Sequence, residues 1–71
     1  MDRFKAVIDY TNWRGVRGTR VIVPQRLFFG VTEHHPVPQW LLDARDLDKG
    51  EMRTFALKDI HNPESVNMRF Y

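Results

Sequence analysis

The sequence predicts an all-β fold: five short antiparallel strands curled into a small barrel, with a short C-terminal tail. Three observations point there. Apolar residues recur mainly with a period of two, in short runs. Glycine, proline and polar clusters interrupt those runs at close intervals, as turns do. A chain of 71 residues without cysteine must also build its core from large side chains, because a domain this small buries only about 60% of its unfolded surface. Phe4, Tyr10, Trp13, Phe28, Phe29, Trp40, Phe55, Phe70 and Tyr71 supply that area.

Residues 4–11 form the first predicted strand, with Phe4, Ala6, Ile8 and Tyr10 on one face. Residues 12–18 hold two glycines and mark a hairpin loop. The β-branched run 19–23 is a second strand, stopped by Pro24, which has no N–H for a ladder. A third strand, 25–31, bends at Gly30. Residues 33–38 read as a loop, because Pro36 and Pro38 each restrict themselves and their predecessors. In the fourth strand, 39–46, Trp40, Leu42 and Ala44 share one face and Leu41, Asp43 and Arg45 the other.

Asp48-Lys49-Gly50 is a tight turn, and 51–57 is the fifth strand, continued or closed by 58–61. Asn62-Pro63-Glu64 has the composition of a helix start. Too few residues follow to hold a helix unaided, so one turn, or docking through Phe70 and Tyr71, is expected. The barrel then spans 1–61 and the tail 62–71. Small sheets hide their edges best by closing, which suggests an SH3-like or Sm-like barrel. Its expected core is Ile8, Tyr10, Val21, Val23, Leu27, Phe29, Trp40, Leu42, Phe55, Leu57 and Ile60.

The net charge is only +2, but eight of the eleven basic residues are arginine. A planar guanidinium suits phosphate, carboxylate and aromatic faces better than an ammonium does. The absence of cysteine rules out disulfides, thiolate–zinc sites and a nucleophilic thiol. No apolar stretch approaches the roughly 18 residues of a membrane span. The first residues also lack a signal peptide's apolar core. A cytoplasmic protein without a membrane partner is expected.

The order of landmarks resembles the WYL domain of bacterial transcriptional regulators. Its Ile-x-Tyr opening reads here as Ile8-Asp9-Tyr10, and its Arg-x-x-x-Pro strand as Arg20-Val21-Ile22-Val23-Pro24. Leu27 follows, then Trp40-Leu41-Leu42 where the family has Trp-Tyr-Leu. The Arg-x-Phe-x-Leu-x-x-Ile ending is Arg53-Thr54-Phe55-Ala56-Leu57-Lys58-Asp59-Ile60. The match runs in order from about Lys5 to Ile60. The resemblance implies an Sm-like SH3 barrel that usually sits behind a winged-helix domain and senses nucleic acid or a negatively charged effector. No helix-turn-helix fits in this chain, which implies a free-standing or excised version. Leu41 in place of tyrosine removes any hydroxyl contact to a ligand.

The arginines are the candidate binding groups. Trp13-Arg14-Gly15-Val16-Arg17-Gly18-Thr19-Arg20 places three guanidinium groups and an indole in one hairpin. Such a loop could hold phosphates while the indole stacks on a base. Arg53 shares parity with Phe55 and Leu57 and should lie near a mouth of the barrel. Arg20 shares a face with Ile22, and Arg45 lies outside with Leu41. Ion pairing of Arg20 and Arg53 with Asp9, Asp43 or Asp46 is the competing reading.

Other chemistry finds little support. His34 and His35 point opposite ways on an extended chain and have no third ligand spaced to help, so no metal is expected. A ligand contact by His35 remains open. Asp46-Leu47-Asp48-Lys49-Gly50 echoes a calcium loop but lacks the later bidentate glutamate. Ser65 is the only serine and has no base beside it, and no glycine-rich phosphate loop opens a helix.

The expected protein is therefore a binding module rather than an enzyme, needing no cofactor. Its partner would be single-stranded nucleic acid or a nucleotide-like anion, held by Arg20, Arg53, Arg14, Arg17, Arg45, Trp13 and His35. The rival expectation is a self-assembling module, a homodimer through an exposed apolar strip containing Leu41 and Phe28.

Overall fold

Alternation of apolar and polar residues produces four antiparallel strands, described for residues 5–66 in a computed structural model. They are β1 (Ala6–Thr11), β2 (Arg17–Gly30), β3 (Gln39–Asp46) and β4 (Glu51–Ala56). They lie in one sheet in the order β1-β2-β3-β4. Two 3-10 turns follow, Leu57–Asp59 and Pro63–Ser65. Phe4, Phe70 and Tyr71 lie outside the described residues.

Two expected strands merge into β2, so there are four strands rather than five. Pro24 does not stop the strand because the register slips there: Pro24 lies opposite Ala44, whereas Arg26 already lies opposite Asp43. Gln25 is the extra residue of a bulge, one of the few places where a strand accepts proline. The slip also inverts the pattern of faces. Before it Ile22 and Pro24 are buried; after it Leu27 packs against the core. Val21 and Val23, expected inside, are only half-buried for that reason.

The core is Ala6, Ile8, Tyr10, Ile22, Leu42, Ala44, Phe55, Ile60 and Val66, with Leu27 and Leu57 against it. Phe29 and Trp40, also expected there, are 60% and 51% exposed. They pair with each other at the far end of the β2–β3 ladder, whereas β1 reaches only Ile22. With no strand opposite them, they meet edge to face at 5.5 Å.

Leu41 corrects the expectation of an exposed strip. It is completely buried, between Phe28 on β2 and Ala56 on β4. Phe28 is half-buried under the Arg26 guanidinium, 4.3 Å from its ring centre.

The sheet does not close through a ladder. After β4 the chain makes the first 3-10 turn, and Ile60 forms a single antiparallel bridge to Tyr10. The Tyr10 hydroxyl spans from β1 to β4 by accepting the Ala56 N–H at 3.3 Å. The expected fifth strand thus shortens to β4, and closure rests on one bridge and one side chain.

Asn62 does not act as a helix cap. Its Oδ1 accepts the Asp9 N–H at 2.7 Å, and its Nδ2 donates to the Val7 carbonyl at 3.0 Å. The His61 N–H donates to the Asp9 carbonyl and the Ser65 hydroxyl to that of Val7. Residues 61–65 thereby seal the outer edge of β1. Asn62→Ala is expected to cost about 1–3 kcal/mol, because it strands a backbone donor and weakens an acceptor. Chemical denaturation measures the loss, and hydrogen exchange at the Asp9 amide should accelerate; an unchanged amide would contradict the assignment.

The β3–β4 turn is built by Asp46, whose Oδ1 accepts the N–H groups of Asp48 and Lys49 at 3.0 and 3.1 Å. Gly50 closes it at φ +68°, a conformation glycine adopts without strain.

Candidate ligand-binding cleft

Two loops and β4 surround a cleft of about 460 Å³. Asn12 shapes the first loop: its Oδ1 accepts the N–H groups of Arg14 and Val16, and Gly15 turns at φ +81°. In the second loop Thr32 and His35 exchange backbone hydrogen bonds, and the Thr32 hydroxyl bonds both the His35 N–H and its ring Nδ1 at 3.1 Å. Trp13 stacks on His34, 5.5 Å between ring centres and 13° between planes, which ties the loops together.

Tyr10 and Phe55 line the cleft from the core side, in an edge-to-face contact at 4.9 Å. Burial raises the Tyr10 phenol above its ordinary pKa, so it stays a neutral hydroxyl. The charges of Arg53 and Arg20 act in the opposite direction on the same phenol. The two guanidinium groups therefore approach one point of the site. Burial also lowers the pKa of His35, leaving a neutral imidazole at neutral pH.

The arginines divide into three groups. Arg17 and Arg26 are neutralised: Arg17 forks onto Asp9 at 2.9 and 2.7 Å, and Arg26 meets Asp43 at 3.1 Å. The pairing lowers the Asp9 pKa and raises that of Arg17. Arg53 is held loosely, with Glu51 at 3.4 Å and both side chains substantially exposed. Arg14, Arg20 and Arg45 have no carboxylate within ion-pair distance among the described residues. Arg14 lies over the Trp13 ring at 5.1 Å. Arg20 donates to the Thr19 carbonyl and passes over Gly18, where a Cβ would stand 3.3 Å from its Nη1.

Of the residues singled out in the sequence, Trp13, His35 and Arg53 line the cleft, and Arg20 acts on it through charge. Arg17 and Arg45 are not among its lining residues, and the Arg17 fork is already occupied. None of the three acids expected to compete for Arg20 and Arg53 does so. Asp9 and Asp43 hold other arginines, and the Asp46 carboxylate serves its own turn. Tyr10, Asn12, Thr32, His34 and Phe55 complete the cleft without having been singled out for it. The Ile-x-Tyr and Arg-x-Phe pairs were a signal for two of them, since each couples a core residue to a cleft residue.

A family model described as the WYL domain matches residues 1–65. The chain belongs to the WYL domain family. That match covers every element of the WYL sheet and all the cleft residues. Neither a curated protein nor a solved structure matches the chain significantly. WYL domains are associated with regulatory, ligand-sensing modules, which agrees with a cleft assembled by loops on a rigid sheet. Among the described residues no helix is long and apolar enough to cross a membrane.

Proposed function

We propose that this WYL domain is the ligand-sensing part of a cytoplasmic transcriptional regulator and binds without catalysing a reaction. Its ligand is a nucleotide-like anion or a short stretch of single-stranded nucleic acid. One observation carries this reading: the charges of Arg20 and Arg53, neither tightly neutralised, meet at Tyr10 on the wall of an aromatic cleft. Phosphate would lie between those guanidinium groups, and a base against the Trp13–His34 stack. That stack and Arg14 already occupy the indole, so binding exchanges an internal stack for an intermolecular one.

Anisotropy of a labelled short oligonucleotide, with mononucleotides as competitors, tests the proposal. Affinity should fall steeply as salt rises, because phosphate contacts release counterions. Replacing both Arg20 and Arg53 by alanine should weaken binding at least about 10-fold, since hydrogen bonds to charged groups contribute about 1.5–3 kcal/mol each. Absence of binding at low salt, or the same affinity in the double variant, would rule the cleft out as an anion site.

A further inference from the structure

The two edges of the sheet are finished differently. Along β1 the outward backbone groups of Val7 and Asp9 are taken by residues 61–65. Along β4 only the Ala56 N–H is taken, by the Tyr10 hydroxyl. That bond fixes the phase of the strand, since antiparallel residues alternate between facing and turning away from a neighbour. Glu51, Arg53 and Phe55 face β3; Met52, Thr54 and Ala56 turn their N–H and C=O groups outward. Among the described residues nothing meets the outward groups of Met52 and Thr54. An unpaired row of this kind is a template for another strand.

The side chains identify which strand fits. Glu51 and Arg53 flank Met52, carry opposite charges, and share one face of the strand. We propose that β4 pairs antiparallel with β4 of a second copy of this chain, about a two-fold axis at Met52. That register sets Glu51 opposite the partner's Arg53 and the reverse, giving two cross-strand pairs of the stabilising kind. An axis at Glu51 or Arg53 would instead oppose like charges, and one at Thr54 would leave both charges unmatched. The two Met52 residues exchange N–H···O bonds at the axis, and their side chains, 53% exposed in one copy, cover each other. Thr54 then lies opposite Gly50, where no side chain obstructs the approach. The intrachain Arg53–Glu51 contact, long at 3.4 Å, gives way to shorter intermolecular ones.

Edge pairings this small sit at the weak end of specific association, so sedimentation equilibrium is run at roughly 0.5 mM. The unmodified chain should sediment as a dimer. Met52→Pro removes an N–H that faces the partner and none that faces β3, so it should sediment as a monomer with an unchanged circular dichroism spectrum. Arg53→Glu opposes acid to acid and should also give a monomer. Adding Glu51→Arg restores complementarity and should restore the dimer, while leaving the cleft without its Arg53 charge. Dimerisation and anion binding are thereby read separately. A monomeric unmodified chain, or a folded Met52→Pro variant that still dimerises, would overturn the pairing; failure of the double swap to recover the dimer would overturn the register.

Discussion

Replacing Phe55 by alanine is expected to leave most of the domain unfolded at room temperature. Phe55 is 2% exposed, lies opposite Leu42 in the ladder and meets Tyr10 edge to face. Emptying such a position costs about 3–5 kcal/mol, since the surroundings relax only partly around the cavity. The aromatic pair contributes about 0.5–1.5 kcal/mol beyond buried area. At about 0.05–0.15 kcal/mol per residue, a domain of this length holds only roughly 4–10 kcal/mol in total. The same change removes part of the cleft wall, so a surviving folded fraction should bind ligand poorly. Urea denaturation followed by circular dichroism gives the number. A loss below about 1 kcal/mol would show that the Tyr10–Phe55 contact is not central to the core.

Leu41→Lys should be comparably damaging, and for a different reason. Leu41 is fully buried between Phe28 and Ala56, and the first 3-10 turn packs against its strand. A lysine there must bury an ammonium without a partner, a penalty of several kcal/mol after relaxation. Leu41→Met, which nearly conserves volume, should cost less than about 1.5 kcal/mol. The pair separates burial from surface association. A residue on an exposed interface would tolerate lysine with its melting temperature intact. A variant that melts like the parent chain would return Leu41 to the surface.

Much of the sheet was legible in the residues, because β1, β3 and β4 follow a simple alternation and glycine marks the turns at Gly15 and Gly50. What hid was phase. Pro24 looks like a stop in one dimension, whereas a one-residue slip beside it lets the strand continue with its faces exchanged. The placement of Val21, Val23 and Leu27 depended on that slip. Leu41 was misplaced for a related reason: alternation assumes one wet face, and β3 is covered on both sides at that point. The cleft was half visible. Trp13, His35 and Arg53 could be picked by residue type, but the partners of the arginines could not. Asp9 lies nearer in sequence to Arg17 than to Arg53, yet strand register, not sequence distance, placed that pair. His34 showed no sign in the sequence of its stack on Trp13, since the two residues meet only after 20 residues of β2 and its flanking loops have folded.

The surplus residue at Gln25 has a consequence for how relatives of this chain should be compared. Because it re-phases the second half of a long strand, losing it would not be equivalent to losing one polar side chain. Everything from Arg26 to Gly30 would be rotated half a pleat against Ile22, carrying Leu27 out of the interior and Phe28 into it. A length change at this point is an alteration of geometry felt by five residues together, whereas a substitution at any one of them alters chemistry at a single position. An alignment that slides a gap past Gln25 therefore describes a differently folded ribbon.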